Sequence, residues 1–376
     1  MEMRMSLYLD NAATTKIKQE VLDEMIKSLE AYGNTEAKYY DVAEKAKENV
    51  KLARQRVAAI VGAKSEEIIF TSGATEANNL VIKGTVLQSK RQHKKVIISS
   101  IEHSSVYDTC KYLEMQGIEI VMLDVDRTGM INLNQLRNEI DDNTILVSII
   151  LVNNEIGTIQ DIEEITKICE EKKVPVHFDV TQAVGKINIR FEEYSSLKFL
   201  TFTSHKIYGP KGVGCLVVKT DEIGVKQELV PLFHGGEQED GIRAGTLSNE
   251  LIVGFGKACE IARDNMEINN QKILELEKVL IDKLKNKFGD KLSINNDFDN
   301  RVHDILNVRI KSFNNMVLLK AIAPLIAAST GSACSVSKPS RVLKSIGLSD
   351  LEISESIRLS MSPYMDVNEL NVIDKL

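Results

Sequence analysis

The feature that most constrains this chain is a series of seven short apolar runs between residues 60 and 220. They are rich in Val and Ile and continuous instead of alternating, and they read EEIIFTSG, KVIISS, EIVMLDV, TILVSIILVNN, VPVHFDV, KFLTFTSH and GVGCLVVK. Strands that are buried on both faces have this pattern. The neighbouring stretches, such as residues 41–61, have apolar residues at helical spacing. The alternation predicts an α/β fold with a mostly parallel sheet.

The character of the sequence changes after about Gly256. Residues 257–288 have the pattern of one long amphipathic helix, and shorter elements follow: HDILNVRI as a strand, SFNNMVLLKAIA as a turn and helix, and SESIRLSMS as a strand. A chain of 376 residues is long enough for one large and one smaller domain. We therefore predict a large domain over 13–256 and a small C-terminal α+β domain over 257–376, with residues 1–12 packing against either.

Charge and composition exclude several classes of protein. The net charge is −7, so we expect no direct binding to nucleic acid. No apolar run approaches the ~20 residues that cross a bilayer, and the N-terminus has no signal-peptide pattern, so we expect a cytoplasmic protein without membrane contact. The five cysteines are widely spaced and form no CxxC pair, which argues against a disulfide framework or a metal site.

The turn after the first run is a candidate anion site. Residues 71–77, TSGATEA, lead directly from the apolar run into a helical pattern. Backbone N–H groups at a helix N-terminus bind anions, and the Thr75 hydroxyl adds a donor. An ordinary capping turn is the alternative interpretation.

Polar residues also follow four other runs. They are Glu102-His103, the segment 153–155, Asp179 with Gln182, and the segment 204–206. One polar residue at a strand end is usually structural. Ligands in open α/β sheets bind outside the carboxyl ends of the strands, however, so five such ends on one edge predict a site.

This set of residue types has a chemical logic. Lys206 beside an anion-binding turn suits a Schiff base with an aldehyde cofactor. Asp179 suits the protonation of a pyridine nitrogen, and His103 suits ring stacking and proton transfer. A solvated lysine in a turn is the alternative for Lys206. Cys334 lies among small polar residues in GSACSVS, which predicts an accessible thiol, with a fortuitous surface cysteine as the alternative.

Together these segments resemble the cysteine desulfurases, the NifS/IscS-like group within the class V aminotransferase fold. The likeness runs over nearly the whole chain and is carried, in order, by YLDNAATT, FTSGATEANN, EH, LVSIILVNNEIGTIQDI, HFDVTQAVGK, SHKIYGPKGVG, HGGEQEDGIRAGT, GSACS and SIRLS. The resemblance implies a type I fold of the pyridoxal-phosphate enzymes. It also implies conversion of L-cysteine to L-alanine, with a persulfide formed on Cys334 and passed to a sulfur-acceptor protein.

The resemblance also implies roles for individual residues. Lys206 would hold pyridoxal 5'-phosphate, His103 would stack on its ring and shuttle protons, and Asp179 would pair with the ring nitrogen. Gln182 would contact the phenolic oxygen, and the residues around the phosphate would be Ala74, Thr75, Thr203, Ser204 and His205. Thr246 would contact the phosphate of a neighbouring subunit, which implies a homodimer. The pocket for the substrate carboxylate would contain Asn34, Asn154 and Arg358.

The chain departs from the family pattern in two segments. Tyr39 stands where relatives have histidine, and Glu237 and Asp240 stand where they have glycine and arginine. The two acidic residues would lower the affinity for an anionic substrate or alter a partner surface. Two rival interpretations remain: another class V enzyme, such as an aminotransferase or a selenocysteine lyase, and a degenerate cofactor-binding scaffold. The acceptor is either an iron–sulfur scaffold or a tRNA-thiolation enzyme.

Overall fold

A computed structural model describes residues 6–37, 39–331 and 339–376 of the chain. The strands within these residues are β1 (Leu7–Tyr8), β2 (Ile68–Thr71), β3 (Lys95–Ser99), β4 (Glu119–Leu123), β5 (Thr144–Ile150), β6 (Val176–Asp179), β7 (Leu197–Thr203), β8 (Gly214–Val218), β9 (Leu292–Ile294), β10 (Ile305–Ile310), β11 (Ile326–Ala327) and β12 (Ser356–Ser360). The helices are α1 (Gln19–Ser28), α2 (Asp41–Val61), α3 (Ala74–Gln88), α4 (Ser104–Glu114), α5 (Leu133–Glu139), α6 (Ile162–Glu171), α7 (Asn249–Asp264), α8 (Met266–Phe288), α9 (Asn315–Ile322), α10 (Arg341–Ser345) and α11 (Asp350–Ser354).

The seven predicted runs form one seven-stranded sheet, in the order β2-β8-β7-β6-β5-β3-β4. Only β8 runs antiparallel to its neighbours among these strands. One face packs against α3 and α4, and the other packs against α2, α6 and α7. Because both faces are covered, the strands are apolar throughout, and the predicted α/β fold is confirmed.

The C-terminal part has its own sheet and core. Strands β12, β10 and β9 form an antiparallel sheet that packs with α8, α9 and a 3-10 helix at residues 367–375. Leu7 and Leu9 belong to this second core, and β1 pairs in parallel with β11. We therefore propose that the start of the chain is part of the small domain.

The predicted single helix over 257–288 is wrong, because α7 and α8 meet at Asn265. The Asn265 backbone is not helical, with φ −109° and ψ 7°, and its side-chain amide donates to the Ile261 carbonyl at 2.8 Å. An asparagine that bonds to nearby backbone competes with the helical hydrogen bonds. The later residues of α7 pack in the core of the large sheet, so the boundary predicted after Gly256 falls inside a helix. We propose Asn265 as the boundary instead.

Candidate active site

A cavity of about 1150 Å³ opens at the carboxyl ends of the central strands. Strands β2, β3, β5, β6 and β7 all end at its wall, so residues that are distant in sequence meet there. The residues singled out in the sequence that line this cavity are Ala74, Thr75, His103, Asn154, Asp179, Gln182, Thr203, His205, Lys206 and Arg358. Topology thus brings ten of these side chains together.

Three of the other four candidates do not line the cavity, and the fourth cannot be placed in it. Ser204 is buried in the turn after β7, between two lining residues. Thr246 and Asn34 are exposed, and neither lines the cavity within this single chain. For Asn34 this departs from the prediction: its side chain accepts from the Glu36 N–H at 3.0 Å, a local turn contact that holds it on the surface. Cys334 lies outside the described residues.

The environment of Lys206 favours a neutral amine. Burial, with the positive charges of Arg358 and Lys186, lowers the pKa of Lys206 to about 7. Its Nζ donates to the carbonyls of Ala12 and Ala13 at 2.6 Å. A buried amine with a lowered pKa is a nucleophile for an aldehyde near neutral pH.

Asp179 ends β6 and is held on both carboxylate oxygens. One oxygen accepts from the Asn78 side-chain amide at 2.8 Å, and the other accepts from the Thr181 backbone N–H at 3.0 Å. Gln182, one turn further on, donates to the Ala12 carbonyl at 2.9 Å and accepts from Lys186 at 2.8 Å. Both side chains are therefore fixed in place at the cavity wall.

His103 is the N-cap residue of α4. Its Nδ1 accepts from the Ser105 backbone N–H at 3.1 Å and lies 2.8 Å from the Ser105 hydroxyl. Burial lowers the pKa of His103, although the negative charge of Asp179 opposes that shift. The imidazole is therefore a neutral group that the helix start holds rigidly.

Two glutamates that line the cavity are buried, and among the described residues neither forms an ion pair. Burial raises the pKa of Glu102 to about 8, although the Ser99 hydroxyl and the Ile150 N–H donate to its carboxyl. Burial also raises the pKa of Glu155, whose carboxyl accepts from the Ser340 hydroxyl at 2.5 Å. At neutral pH Glu102 therefore favours the protonated form and adds little negative charge to the cavity.

Arg358 crosses from β12 to the cavity and is 1% exposed. Its guanidinium pairs with the Asp10 carboxylate at 2.7 Å and donates to the Asn154 carbonyl at 2.8 Å. A nearby cation, Arg341, donates to the backbone carbonyls of Ser100 and Glu102 and stacks on a tyrosine ring. These arginines give this wall of the cavity a positive character that suits a carboxylate ligand.

The start of α3 forms the anion-binding end of the cavity. Residues 72–76 line it, and Gly73 has φ 155°, a conformation that favours glycine. A Cβ on Gly214 would come within 2.7 Å of the Gly73 Cα, so the strand and this turn need glycines to pack. The fifteen-residue helix presents its N-terminal N–H groups here.

The cavity fits pyridoxal phosphate by its donor set. It combines an amine for an aldehyde, a carboxylate for a ring nitrogen and a helix N-terminus for a phosphate. Three buried polar atoms of its lining residues, Thr181 Oγ1, Glu102 Oε2 and Arg358 Nε, also have no hydrogen-bond partner within the described protein. Unsatisfied buried polar atoms are uncommon, and those at a cavity wall are where a bound ligand makes its contacts.

Several site residues escaped the sequence prediction. Asn78, Asp10 and Arg341 hold other site residues in position, yet no role was predicted for any of them. Asn78 alone left a signal, because it shares the apolar face of α3 with Val81 and Ile82. A polar residue on such a face needs a buried partner.

Comparison with known families and sequences gives a consistent result. The model of the aminotransferase class-V family matches residues 7–373. The chain is 40% identical to cysteine desulfurase IscS of Buchnera aphidicola subsp. Baizongia pistaciae, over 98% of this chain and 91% of that protein. It is 38% identical to cysteine desulfurase IscS of Ehrlichia chaffeensis, over 98% of this chain and 89% of that protein.

Solved structures agree with these relatives. A NifS-like protein superposes with a TM-score of 0.90 at 32% identity, covering 99% of this chain and 98% of that one. A structure described as SspA in complex with cysteine superposes with a TM-score of 0.83 at 35% identity, covering 96% of this chain and all of that one. No similarity found here favours the rival interpretations.

Proposed function

Because this chain belongs to the aminotransferase class-V family, we propose that it acts as a cysteine desulfurase through Lys206 and Cys334. The cofactor is pyridoxal 5'-phosphate and the substrate is L-cysteine. The observation that carries the residue assignment is the meeting of Lys206, Asp179, His103 and the α3 N-terminus in one cavity.

The residues of this chain would hold the cofactor at three points. Lys206 would bind the aldehyde carbon, Asp179 would pair with the ring nitrogen, and the turn at residues 72–75 would bind the phosphate. Thr203, the last residue of β7, and His205, two residues further on, also line the cavity and would contact the phosphate. When bound, pyridoxal phosphate supplies an electron sink that weakens bonds at the substrate carbons.

Arg358 and Asn154 would bind the substrate carboxylate. Hydrogen bonds to Asp10 and Ser329 already fix the guanidinium group of Arg358, so binding of the substrate does not have to order it. The Lys206 amine, with its pKa near 7, would accept and return protons at the substrate carbons.

Cys334 would take the sulfur. A bond from its thiolate sulfur to the substrate sulfur would replace the bond between that sulfur and the substrate β-carbon. The carbon keeps the electron pair of the broken bond and gains a proton, so alanine and a Cys334 persulfide form without an external oxidant. Gly331 and Pro339, which flank the segment with Cys334, both line the cavity.

We also propose that two copies of the chain assemble into a homodimer. The exposed position of Thr246 supports a contact with the phosphate of the other copy's cofactor. The persulfide would pass to an acceptor thiol on an iron–sulfur scaffold or a tRNA-thiolation enzyme.

Neither acidic departure lines the cavity: Glu237 is exposed, and Asp240 pairs with Lys226 at 2.5 Å. Among the described residues, none of the helices combines the length and apolar character that crossing a membrane requires.

The assignment of Lys206 is tested by Lys206→Ala. Because the variant lacks the amine that binds the aldehyde, we expect borohydride reduction to attach no cofactor at this position. We also expect the rate of alanine formation to fall by at least about 1000-fold. Lys198→Ala, a change on β7 away from the cavity, is the matched control. Peptide mass spectrometry after reduction reports the site of attachment. A borohydride adduct on another lysine of the wild-type protein contradicts the assignment.

A further inference from the structure

A buried hydrogen-bond network behind the cavity centres on Asn78. Its Nδ2 donates to Asp179 Oδ2 and to Ser105 Oγ, each at 2.8 Å, and its Oδ1 accepts from the Thr201 hydroxyl. Asn78 is fully buried. One side-chain amide therefore connects the carboxylate that ends β6 to the start of α4, which carries His103.

The identity of each donor in this network follows from Asp179. A carboxylate only accepts, so the NH₂ group of Asn78 must face it, and Oδ1 must face Thr201. The Thr201 hydroxyl then donates to Oδ1. Its oxygen is left to accept from His177 Nε2 at 3.0 Å, and His177 Nδ1 accepts from the Ser148 hydroxyl at 2.8 Å. Burial lowers the pKa of His177 to about 4, in keeping with a neutral ring.

The second branch of the network fixes the proton on His103. Ser105 Oγ accepts from Asn78, which leaves the hydroxyl hydrogen free to donate to His103 Nδ1 at 2.8 Å. The backbone N–H of Ser105 donates to the same nitrogen at 3.1 Å. Because His103 Nδ1 faces two donors, it carries no proton, and the proton of the neutral ring is on Nε2.

We propose that Asn78 is a positioning residue that holds the Asp179 carboxylate and, through Ser105, keeps His103 in the tautomer protonated on Nε2. This inference deepens the proposed function and rests on it for the roles of Asp179 and His103. In this tautomer the Nε2–H of His103 can donate a hydrogen bond, while Nδ1 already accepts from two donors and cannot accept a proton. Acceptance of a proton in the site therefore falls to Lys206.

The tautomer is read directly by NMR of the full-length holoenzyme labelled with ¹⁵N-histidine. The chain has six histidines, and His103→Gln identifies the signals of His103. Long-range ¹H–¹⁵N spectra separate a protonated imidazole nitrogen from an unprotonated one. We expect His103 in the wild-type protein to have a protonated Nε2 and an unprotonated Nδ1. A proton on Nδ1 overturns the inference without any variant at Asn78.

Asn78→Ala tests the positioning role, with Asn79→Ala as the matched control on the same helix. Among the described residues, the Asn79 side chain bonds only the Thr75 carbonyl of its own helix, at 3.0 Å. For Asn78→Ala we expect a kcat for alanine formation lower by about 10- to 100-fold, which is the effect of one lost hydrogen bond to a charged group. We also expect a shifted absorption maximum of the bound cofactor and mixed tautomers of His103. The Asn79→Ala variant keeps the wild-type spectra.

A third variant, Ser105→Ala, covers the case in which Asn78→Ala fails to fold. It removes the hydroxyl donor to His103 and keeps the Ser105 backbone N–H donor, so it should weaken the preference for the tautomer protonated on Nε2 and leave the cofactor absorption unchanged. Wild-type tautomers in both variants overturn the inference. If the wild-type protein makes no alanine from L-cysteine, the proposed function fails, but the tautomer measurement still decides whether the network acts as we infer.

Discussion

The cavity has two walls that are built in different ways. The sheet wall, made of Asp179, His103 and Lys206, comes from strand ends, and neighbouring turns and helix starts hold its side chains. The closing wall presents Arg358, whose guanidinium is held by Asp10 and Ser329, positions up to 348 residues away in sequence. Topology therefore sets the geometry of the sheet wall, whereas the closing wall depends on one ion pair.

The two walls also treat charge differently. On the sheet wall, burial favours the neutral forms of Lys206, Glu102 and His103 through their shifted pKa values. On the closing wall, Arg358 is as deeply buried as Glu102 but has Asp10 as its counterion. Burial without a counterion favours a neutral group, and burial with one produces a fixed charge for binding.

The largest effect in this comparison is expected from Arg358→Gln. The change removes the cation that we propose binds the substrate and leaves Asp10 unpaired, so kcat/KM for L-cysteine should fall by about 100-fold or more, and the protein should lose a few kcal/mol of stability. Arg309→Gln, which breaks ion pairs with Glu352 and Glu355 in the same sheet, is the control. Steady-state kinetics and urea unfolding report the two effects. An unchanged kcat/KM would remove Arg358 from the substrate site.

The pH dependence of the stability of Glu102→Gln tests whether Glu102, on the sheet wall, is protonated in the folded protein. The folded pKa of Glu102, about 8, lies above its usual value of 4.5. Between these values the folded state binds the extra proton, so this group lowers the stability as pH rises. The Gln variant has no carboxyl to ionise and does not lose stability in this way. The difference in free energy of unfolding, variant minus wild type, should therefore increase by up to about 1.4 kcal/mol per pH unit between pH 5 and pH 8.

Urea unfolding of Glu102→Gln at several pH values gives this slope. The control is Glu48→Gln, at an exposed position of α2, which should show no such slope. A stability difference for Glu102→Gln that is flat with pH would mean that Glu102 is ionised in the folded protein.

The smallest effect is expected from Thr246→Val, which tests whether a second copy completes the site. Loss of one hydroxyl contact to the phosphate should speed cofactor release by about 5- to 10-fold. Dialysis followed by absorbance measures the release, and light scattering gives the oligomeric state. Ser248→Ala, two residues away, is the control. A fully active monomer would contradict the shared site.

The sequence predicts the sheet wall well because strand ends in a parallel sheet converge by topology. Lys206, Asp179 and His103 each follow an apolar run, so their meeting needs no knowledge of side-chain contacts. The small domain was harder. The break at Asn265 interrupts an apolar pattern that continues through it, and only its side-chain bond to Ile261 reveals it.

The closing wall could not be predicted in this way. Asp10 follows a two-residue strand that pairs with β11, and no periodic pattern connects it to Arg358. Asn78 also escaped, since its importance lies in two contacts that only the packed helices create. Long-range polar contacts depend on how elements pack, whereas patterns along the sequence report which elements form.

The most direct test of the central claim compares alanine and sulfide released from L-cysteine by the wild-type protein and by Cys334→Ser, with a thiol reductant present. The account predicts that the wild-type protein makes both products in equal amounts and that the variant makes neither, because the sulfur has no thiolate to receive it. Equal alanine from both proteins would contradict the account, since the substrate carbon–sulfur bond would then break without Cys334.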